Sequence, residues 1–367
     1  MNFELSDEQA LLRDTTREVL KRRSSTEPGG NKQLWKQLAE IGLPGLTFSE
    51  ADGGSGAGLV EAMMVMTEIG RALAPVPYLE GVLIPGELIV AVGTPTQRTR
   101  YLPALASGAT TLAFAHQEPG SRWPAKTVAT TASKWGDRWT ITGVKNPVLH
   151  GDRARTLIVT ATRPGDGVGL FLIDTDSADV TRTSYRTHDG RGGAQIRFQA
   201  AEGEPLGSDD QSAAIASVEV LAQGALCAEA VGLMEEVLKL TVDYLKQRKQ
   251  FGTALAKFQA LAHRAADMYV ALELAKSMSL YATMSLAGGI TDPVRASRAK
   301  FAVGRAALLI GKEAIQMHGG IGMTSEYAVG HYVSRLMAIE HTLGSSDAHL
   351  RVLTDSVASY TRVNVIE

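Results

Sequence analysis

The sequence predicts an α+β protein in which an N-terminal α-helical domain, a middle antiparallel β domain and a C-terminal four-helix bundle follow one another. Three observations predict it. Apolar residues recur every three or four positions from Ser6 to about Ser107, every second position from Thr111 to about Leu206, and every three or four again from Ser212 onward. Strands and helices do not alternate, which argues against a doubly wound nucleotide-binding fold. With 367 residues, 44% of them hydrophobic and 21% charged, the chain can bury a sizeable core. The expected domains are 1–108, 109–208 and 209–367.

In the first domain an early stripe of Leu11, Leu12 and Val19 is followed by "LWKQLAEIGL". Next comes "LVEAMMVMTEIGRALA", where Val60, Met63, Met64, Thr67, Ile69 and Ala72 share helical spacing. The runs "STEPGG" and "EADGGSGAG" break these helices. The second domain is read from short runs, "TLAFAHQ", "TVATTAS", "RWTITGV", "TLIVTAT", "GLFLIDT" and "QIRFQA", separated by Gly-Asp and Pro-Gly-Asp turn signals. In the third, Met234, Val237, Thr241 and Tyr244 fall on one stripe, and further long helical segments complete a bundle.

A net charge of -2 with scattered basic residues offers no field for a polyanion, so nucleic acid and membrane surfaces are not expected partners. The lone Cys227 makes neither an internal disulfide nor a thiolate metal cluster and suits a reducing cytoplasm. "MNFELSDEQALLRD" lacks a signal-peptide pattern. The apolar window Gly81 to Gly93 is too short to span a bilayer and is broken by Pro85 and Glu87. A soluble, cytoplasmic protein is the expectation. No Gly-x-Gly-x-x-Gly after a strand, Walker motif, Cys/His metal spacing or Gly-x-Ser-x-Gly elbow occurs.

Chemistry-bearing residues concentrate in two runs, "QRKQFGTALAKFQALAHRAADM" and "AIQMHGGIGMTSEYAVGHYVSR". Gly319, Gly320 and Gly322 near a helix boundary let backbone approach a ligand closely. Arg248 is the residue type that grips a pyrophosphate bidentately, and Phe251 could pack on an adenine or ribose. Taken singly, "HGGIG" reads equally as a helix break and Arg248-Lys249 as a solvated helix end. Together with "LSDEQALLRD" and "FSEADGGSGAGLVEAMMVMTEIGRAL", however, these runs resemble the acyl-CoA dehydrogenase family over nearly the whole chain.

The resemblance implies an FAD flavoprotein that takes the α proton and β hydride of a fatty acyl-CoA, passes electrons to an electron-transfer acceptor, and assembles as a dimer of dimers. It further implies that Arg248, Phe251, Gln259, Gln316, Met317, His318, Gly319 and Gly320 contact the ADP half of an FAD whose flavin ring lies mostly in the neighbouring subunit.

Elsewhere the chain departs from the family's pattern. Ungapped counting between Arg335 and Arg351 puts Gly344, Ser345 and Ser346 where most members carry Glu-Gly-Thr, so the usual catalytic carboxylate is missing. The alternative glutamate, on the helix before "RKQFG", falls on Ala222, and the CoA-contacting arginine after it on Gln223. The nearby carboxylates Glu219, Glu340 and Asp347 read as solvated helix-face charges. In "HQEPGSRWPAK" the turn His116-Gln117-Glu118-Pro119 is kept, but Arg122, Trp123 and Pro124 replace a Gly-Ser-Asp that meets the flavin. Pro147 and Leu149 replace a Trp and a Thr that cover it. The expectation is a non-catalytic subunit of an actinobacterial, steroid-CoA-type α2β2 heterotetramer, completing the FAD site of a homologous catalytic subunit that binds the acyl-CoA. The alternatives are a self-sufficient homotetramer using Glu219 or Glu340, and a flavin-free structural homologue.

Overall fold

The computed structural model describes residues 5–21, 32–125, 127–165 and 167–357, so the expected "STEPGG" break lies outside the described residues. The chain divides into two compact units, residues 1–68 with 74–222 and residues 69–73 with 223–367.

The first unit opens with helices α1 (Asp7–Lys21), α2 (Lys32–Glu40), α3 (Leu59–Arg71), α4 (Ile84–Val92) and α5 (Pro95–Ala106). Helix α5 starts on a capping box: Thr94 accepts from the Gln97 backbone N–H while the Gln97 side chain accepts from that of Thr94. Seven strands follow: β1 (Leu112–Ala115), β2 (Thr131–Trp135), β3 (Arg138–Leu149), β4 (Thr156–Thr162), β5 (Val168–Asp174), β6 (Val180–Arg186) and β7 (Gly192–Leu206). Most neighbours pair antiparallel, as in β3–β7 and β4–β5, but β4 pairs parallel with β1 and with β2.

Strands β4 and β5 are apolar almost throughout because both of their faces are covered. Leu157, Val159, Phe171 and Ile173 enter one core with Ile141, Ile196 and Phe198. Ile158, Leu170 and Leu172 enter another, with Phe48, Leu88, Leu102 and Leu105 from the helical segment. The helical and β segments of this unit therefore share a core. Strand β6, "VTRTSYR", is absent from the expected runs because only its inner edge meets β7, leaving Thr, Arg and Ser exposed. The β3–β7 register slips between Lys145 and Val148, where Pro147 has no N–H to give the ladder.

Helix α6 (Ser212–Gln247) runs from the end of the first unit into the second. It is long and apolar enough to cross a membrane, with a mean hydropathy of 1.5 in its most apolar window, but 78% of that window is buried within the protein. The short β8 (Lys249–Gln250) and β9 (Thr253–Ala254) then form a hairpin. It leads to α7 (Gln259–Ala287), α8 (Pro293–His318), α9 (Ala328–His341) and α10 (Ser346–Val357). Helix α8 begins on the Asp292 cap with Pro293 in its first turn and ends at Gly319, whose φ of 66° permits the turn away. Arg264 pairs with Glu313, and Arg295 reaches Ser285 at 3.4 Å, so α7 and α8 run antiparallel.

Candidate cofactor surface and carboxylate positions

The antiparallel register puts the start of α7 beside the end of α8 in the second unit. There Tyr244, one turn before Arg248, stacks on His318 at 4.6 Å between ring centroids, and His318 meets Tyr327 at 5.0 Å. The structure thus brings Arg248, Phe251, Gln259 and the Gln316–Gly320 run to one end of the unit.

Arg248, Gln259, Gln316, Gly319 and Gly320 are exposed. Phe251 is 92% exposed at a φ of 53°, a left-handed conformation that is strained for an aromatic residue. Its ring meets that of Phe258 edge-on, 6.2 Å between centroids. A Cβ on Gly319 or Gly320 would meet nothing, so the backbone is open to a ligand there. Met317 and His318 are buried instead and build the wall beneath; His318 Nδ1 donates to the Ala314 carbonyl at 2.8 Å. An exposed guanidinium, an exposed aromatic ring and bare glycine backbone suit the phosphates and adenosine of a dinucleotide.

The turn between α9 and α10, also in the second unit, contains Gly344. It is buried at a φ of 101°, a region that side-chain-bearing residues rarely adopt. The turn's polar groups are tied down. Lys300 Nζ, fully buried, donates to the Ile339 carbonyl at 2.6 Å. His349 Nε2 donates to the Leu343 carbonyl at 3.0 Å, and Gln223 Nε2 approaches the same oxygen at 3.4 Å. Burial, with Lys300 nearby, pushes the His349 pKa down to about 3, so its ring is neutral and Nδ1 accepts from Ser297.

Glu340 is not the solvated charge expected. Only 4% exposed, it accepts from the Ser346 backbone N–H at 2.6 Å and from the Ser346 hydroxyl at 3.0 Å, capping α10. Both of its oxygens are therefore engaged in closing the first turn of α10. Asp347 is exposed, as expected. Arg335, one of the two flanking arginines, is buried in a bidentate pair with Glu229 at 2.8 and 2.6 Å, locking α9 to α6.

In the first unit, the segment after β1 meets β3, β4 and the start of α6. Lys145, fully buried, donates to Glu118 at 2.8 Å, to Thr160 at 2.9 Å and to the His116 carbonyl at 3.1 Å. Desolvation would raise the Glu118 pKa, but Lys145 and the N–H groups of Thr130 and Ala129 outweigh it and hold the carboxyl at about 2. Burial lowers Lys145 to about 8 against the pull of Glu118, so both stay charged at neutral pH.

Ala222 is buried on α6 with no polar group to offer. Glu219, one turn earlier, corrects a second expectation: its side chain is only 19% exposed and lies 3.6 Å from His116 Nε2. Trp123 is half-buried with its indole nitrogen turned inside, while Pro124 and Pro147 are exposed and Leu149 is half-buried. Helical spacing alone could not separate Glu219 or Glu340 from a solvated face, because their partners lie on other elements.

Comparison with known proteins agrees with this architecture. The N-terminal domain of acyl-CoA dehydrogenases matches residues 6–109, and their C-terminal domain matches residues 221–358. Acyl-CoA dehydrogenase IpdE2 of Mycolicibacterium smegmatis is 31% identical over 96% of this chain and 100% of its own length. A probable acyl-CoA dehydrogenase of Bacillus subtilis, YngJ, is 29% identical over 96% of this chain and 98% of its own. Among solved structures, a variant of the Tcur3481-Tcur3483 steroid ACAD superposes with a TM-score of 0.88 at 31% identity, covering 96% of this chain and 98% of that one. Butyryl-CoA dehydrogenase of Megasphaera elsdenii, at 24% identity over 98% of this chain and 100% of its own, shares the fold with a TM-score of 0.89.

Proposed function

This chain belongs to the acyl-CoA dehydrogenase family of FAD-dependent oxidoreductases, and from that premise we propose that it is the non-catalytic subunit of a heteromeric acyl-CoA dehydrogenase. A homologous partner supplies the catalytic carboxylate, the flavin pocket and the acyl-CoA cleft. This chain completes the ADP end of the partner's cofactor site. One observation carries the reading: Arg248, Phe251, Gln259 and the exposed Gln316, Gly319 and Gly320 form an open polar and aromatic end surface. Gly344 and Ala222, by contrast, are buried in packed elements without a carboxylate.

Bound FAD supplies the two-electron acceptor. Arg248 offers two parallel N–H donors to a phosphate, Phe251 a face for the adenosine, and the Gly319–Gly320 backbone close approach without side-chain obstruction. Met317 and His318 hold that backbone from below. Exposed Tyr269, Val270 and Leu274 on α7 fit a face covered on assembly. The coupled name and the steroid substrate of the Tcur3481-Tcur3483 relative favour a two-component enzyme acting on a bulky, steroid side-chain acyl-CoA. A cytoplasmic setting with an electron-transfer acceptor completes the proposal.

The test is co-purification with a genomically adjacent homologue, followed by an absorbance spectrum and a flavin count. One FAD per two chains is expected; one FAD per chain in a pure homomer refutes the reading. In the complex, Arg248→Ala should weaken FAD retention roughly tenfold to a hundredfold, the worth of about 1.5 to 3 kcal/mol for a charge-assisted contact. Excess FAD should restore much of the rate, because the loss lies in cofactor binding.

A further inference from the structure

The wall beneath the open glycine backbone of the second unit is built on a histidine, and nothing in a wall requires one. His318 ends α8, and Gly319 follows it at a φ of 66° and a ψ of -143°, a conformation that only glycine adopts readily. The imidazole packs against Tyr244 at 4.6 Å and Tyr327 at 5.0 Å between centroids. The two tyrosines lie 6.2 Å apart, so the three rings close a triangle. The turn then folds back onto the histidine: a Cβ on Gly322 would come within 3.0 Å of His318 Cβ. Gly319 and Gly320 thus open outward, while Gly322 lets the turn lean on His318.

A carbonyl can only accept, so the 2.8 Å contact with Ala314 fixes the proton of the neutral ring on Nδ1. Nε2 is then a bare acceptor, buried without a hydrogen-bond partner in a residue only 3% exposed. A phenylalanine would fill the same space and leave no polar atom unsatisfied, so packing alone does not account for an imidazole. Burial lowers the pKa of the ring below its ordinary value near 6.5, against the pull of the Ala314 and Leu240 carbonyls. The charged groups closest along the packed elements are Asp243, Lys246 and Arg248 beside Tyr244, Glu326 beside Tyr327, and Lys312 and Glu313 on α8. Glu313 is paired with Arg264, and among the described residues none of the rest makes an ion pair with the ring.

We propose that His318 is a positioning residue for the dinucleotide: its uncharged ring holds the Gly319–Gly320 backbone in the binding shape, and a proton taken up by the ring releases it. This deepens the cofactor role and rests on it, because the released backbone matters only where FAD meets it. A proton added at Nε2 puts a cation in a space that offers it no bond, so the charged ring is stable only once it leaves the tyrosines for water. Leaving breaks the Nδ1 bond to α8 and removes the support under the Gly322 turn, and Gly319 loses the neighbour that fixes it. A ring whose pKa is depressed in the binding shape favours that shape above about pH 6.5 and opposes it as pH falls. Proton and dinucleotide therefore exclude one another through a single residue.

The test uses the full chain in complex with its homologous partner, as wild type, His318→Ala and His318→Phe, between pH 5 and pH 8. That range stays above the values of about 4 at which His116 and His150 take up protons. FAD affinity is read by flavin fluorescence. Backbone hydrogen exchange of residues 315–324 is read by mass spectrometry in the FAD-free complex, corrected for intrinsic rates. Wild type should bind FAD roughly tenfold more weakly at pH 5 than at pH 8, with residues 315–324 losing protection over the same interval. His318→Ala should bind weakly at every pH. His318→Phe should recover part of that loss and show no pH dependence in either reading, because its ring cannot titrate. The wild-type acid limb persisting in His318→Phe, or His318→Ala equal to wild type, overturns the proposal. Where His318→Ala does not assemble, wild type against His318→Phe decides alone. Flat exchange at 315–324 with an intact Arg248→Ala effect overturns the proposal by itself. FAD affinity indifferent to Arg248→Ala and to every His318 variant overturns the cofactor reading beneath it.

Discussion

Glu340 and Gly344, four residues apart, have lost opposite things: the glutamate has a carboxylate with no freedom, and the glycine has a position with no carboxylate. Because Glu340 closes the first turn of α10 through Ser346, Glu340→Ala should leave a buried N–H and hydroxyl without their acceptor. The expected cost is about 1 to 3 kcal/mol, read as a lower urea midpoint at unchanged slope. Restoring a carboxylate by Gly344→Glu should not give a pure chain dehydrogenase turnover. It forces a side chain into a backbone at a φ of 101° and should itself cost about 1 to 3 kcal/mol. Turnover by that variant, followed by flavin bleaching with an acyl-CoA, would show that the turn can accept a base. That a glycine without a side chain stands at position 344 was legible in the sequence. That the turn had been rebuilt around the glycine was not, since Lys300, His349 and Gln223 come from three other helices.

At the scale of elements, the Lys145–Glu118 pair joins β3 to the segment that follows β1, and it lies where β3 is already irregular. Removing one partner leaves the other charge buried, so Lys145→Met should destabilise the first unit by about 3 to 5 kcal/mol, measurable by thermal unfolding. In the second unit, α8 passes so close to the α9–α10 turn at Gly304 that a Cβ would collide with Glu340 Oε2 and Ser346 Oγ. Gly304→Ala should therefore disturb the same cap as Glu340→Ala. The double variant should lose less than the sum of the two, as expected for residues sharing one junction. The helical segments and six of the seven strands of the large sheet were readable because apolar period tracks burial on one face. β6 was not, because an edge strand with little buried surface carries little apolar signal. Nor did alternation describe β4 and β5, which are covered on both faces.

The whole molecule should be limited on the acid side by neutral buried histidines. Burial lowers His116 and His150 to about 4 and His349 to about 3. A base whose folded pKa is depressed contributes stability present above its unfolded value near 6.5 and lost as pH falls toward the folded one. Stability should thus decline from about pH 6.5 toward pH 3, by several kcal/mol in all. Glu219, raised to about 7, works in the opposite sense: its contribution is full below pH 4.5 and is lost as pH rises through 7. Guanidinium melts across pH 4 to 8 should show an optimum between these limbs, and Glu219→Gln should flatten the upper one. What the sequence determined by itself was the order of helical and β segments, the family, and which positions lack a carboxylate, since periodicity, motif runs and residue identity are properties of the chain read in order. Only the tertiary structure decided which charges are free. Glu340 became a cap, Glu219 a desolvated carboxyl beside His116, and Arg248 an exposed guanidinium, because desolvation and hydrogen-bond partners are set by elements distant in sequence that only packing brings together.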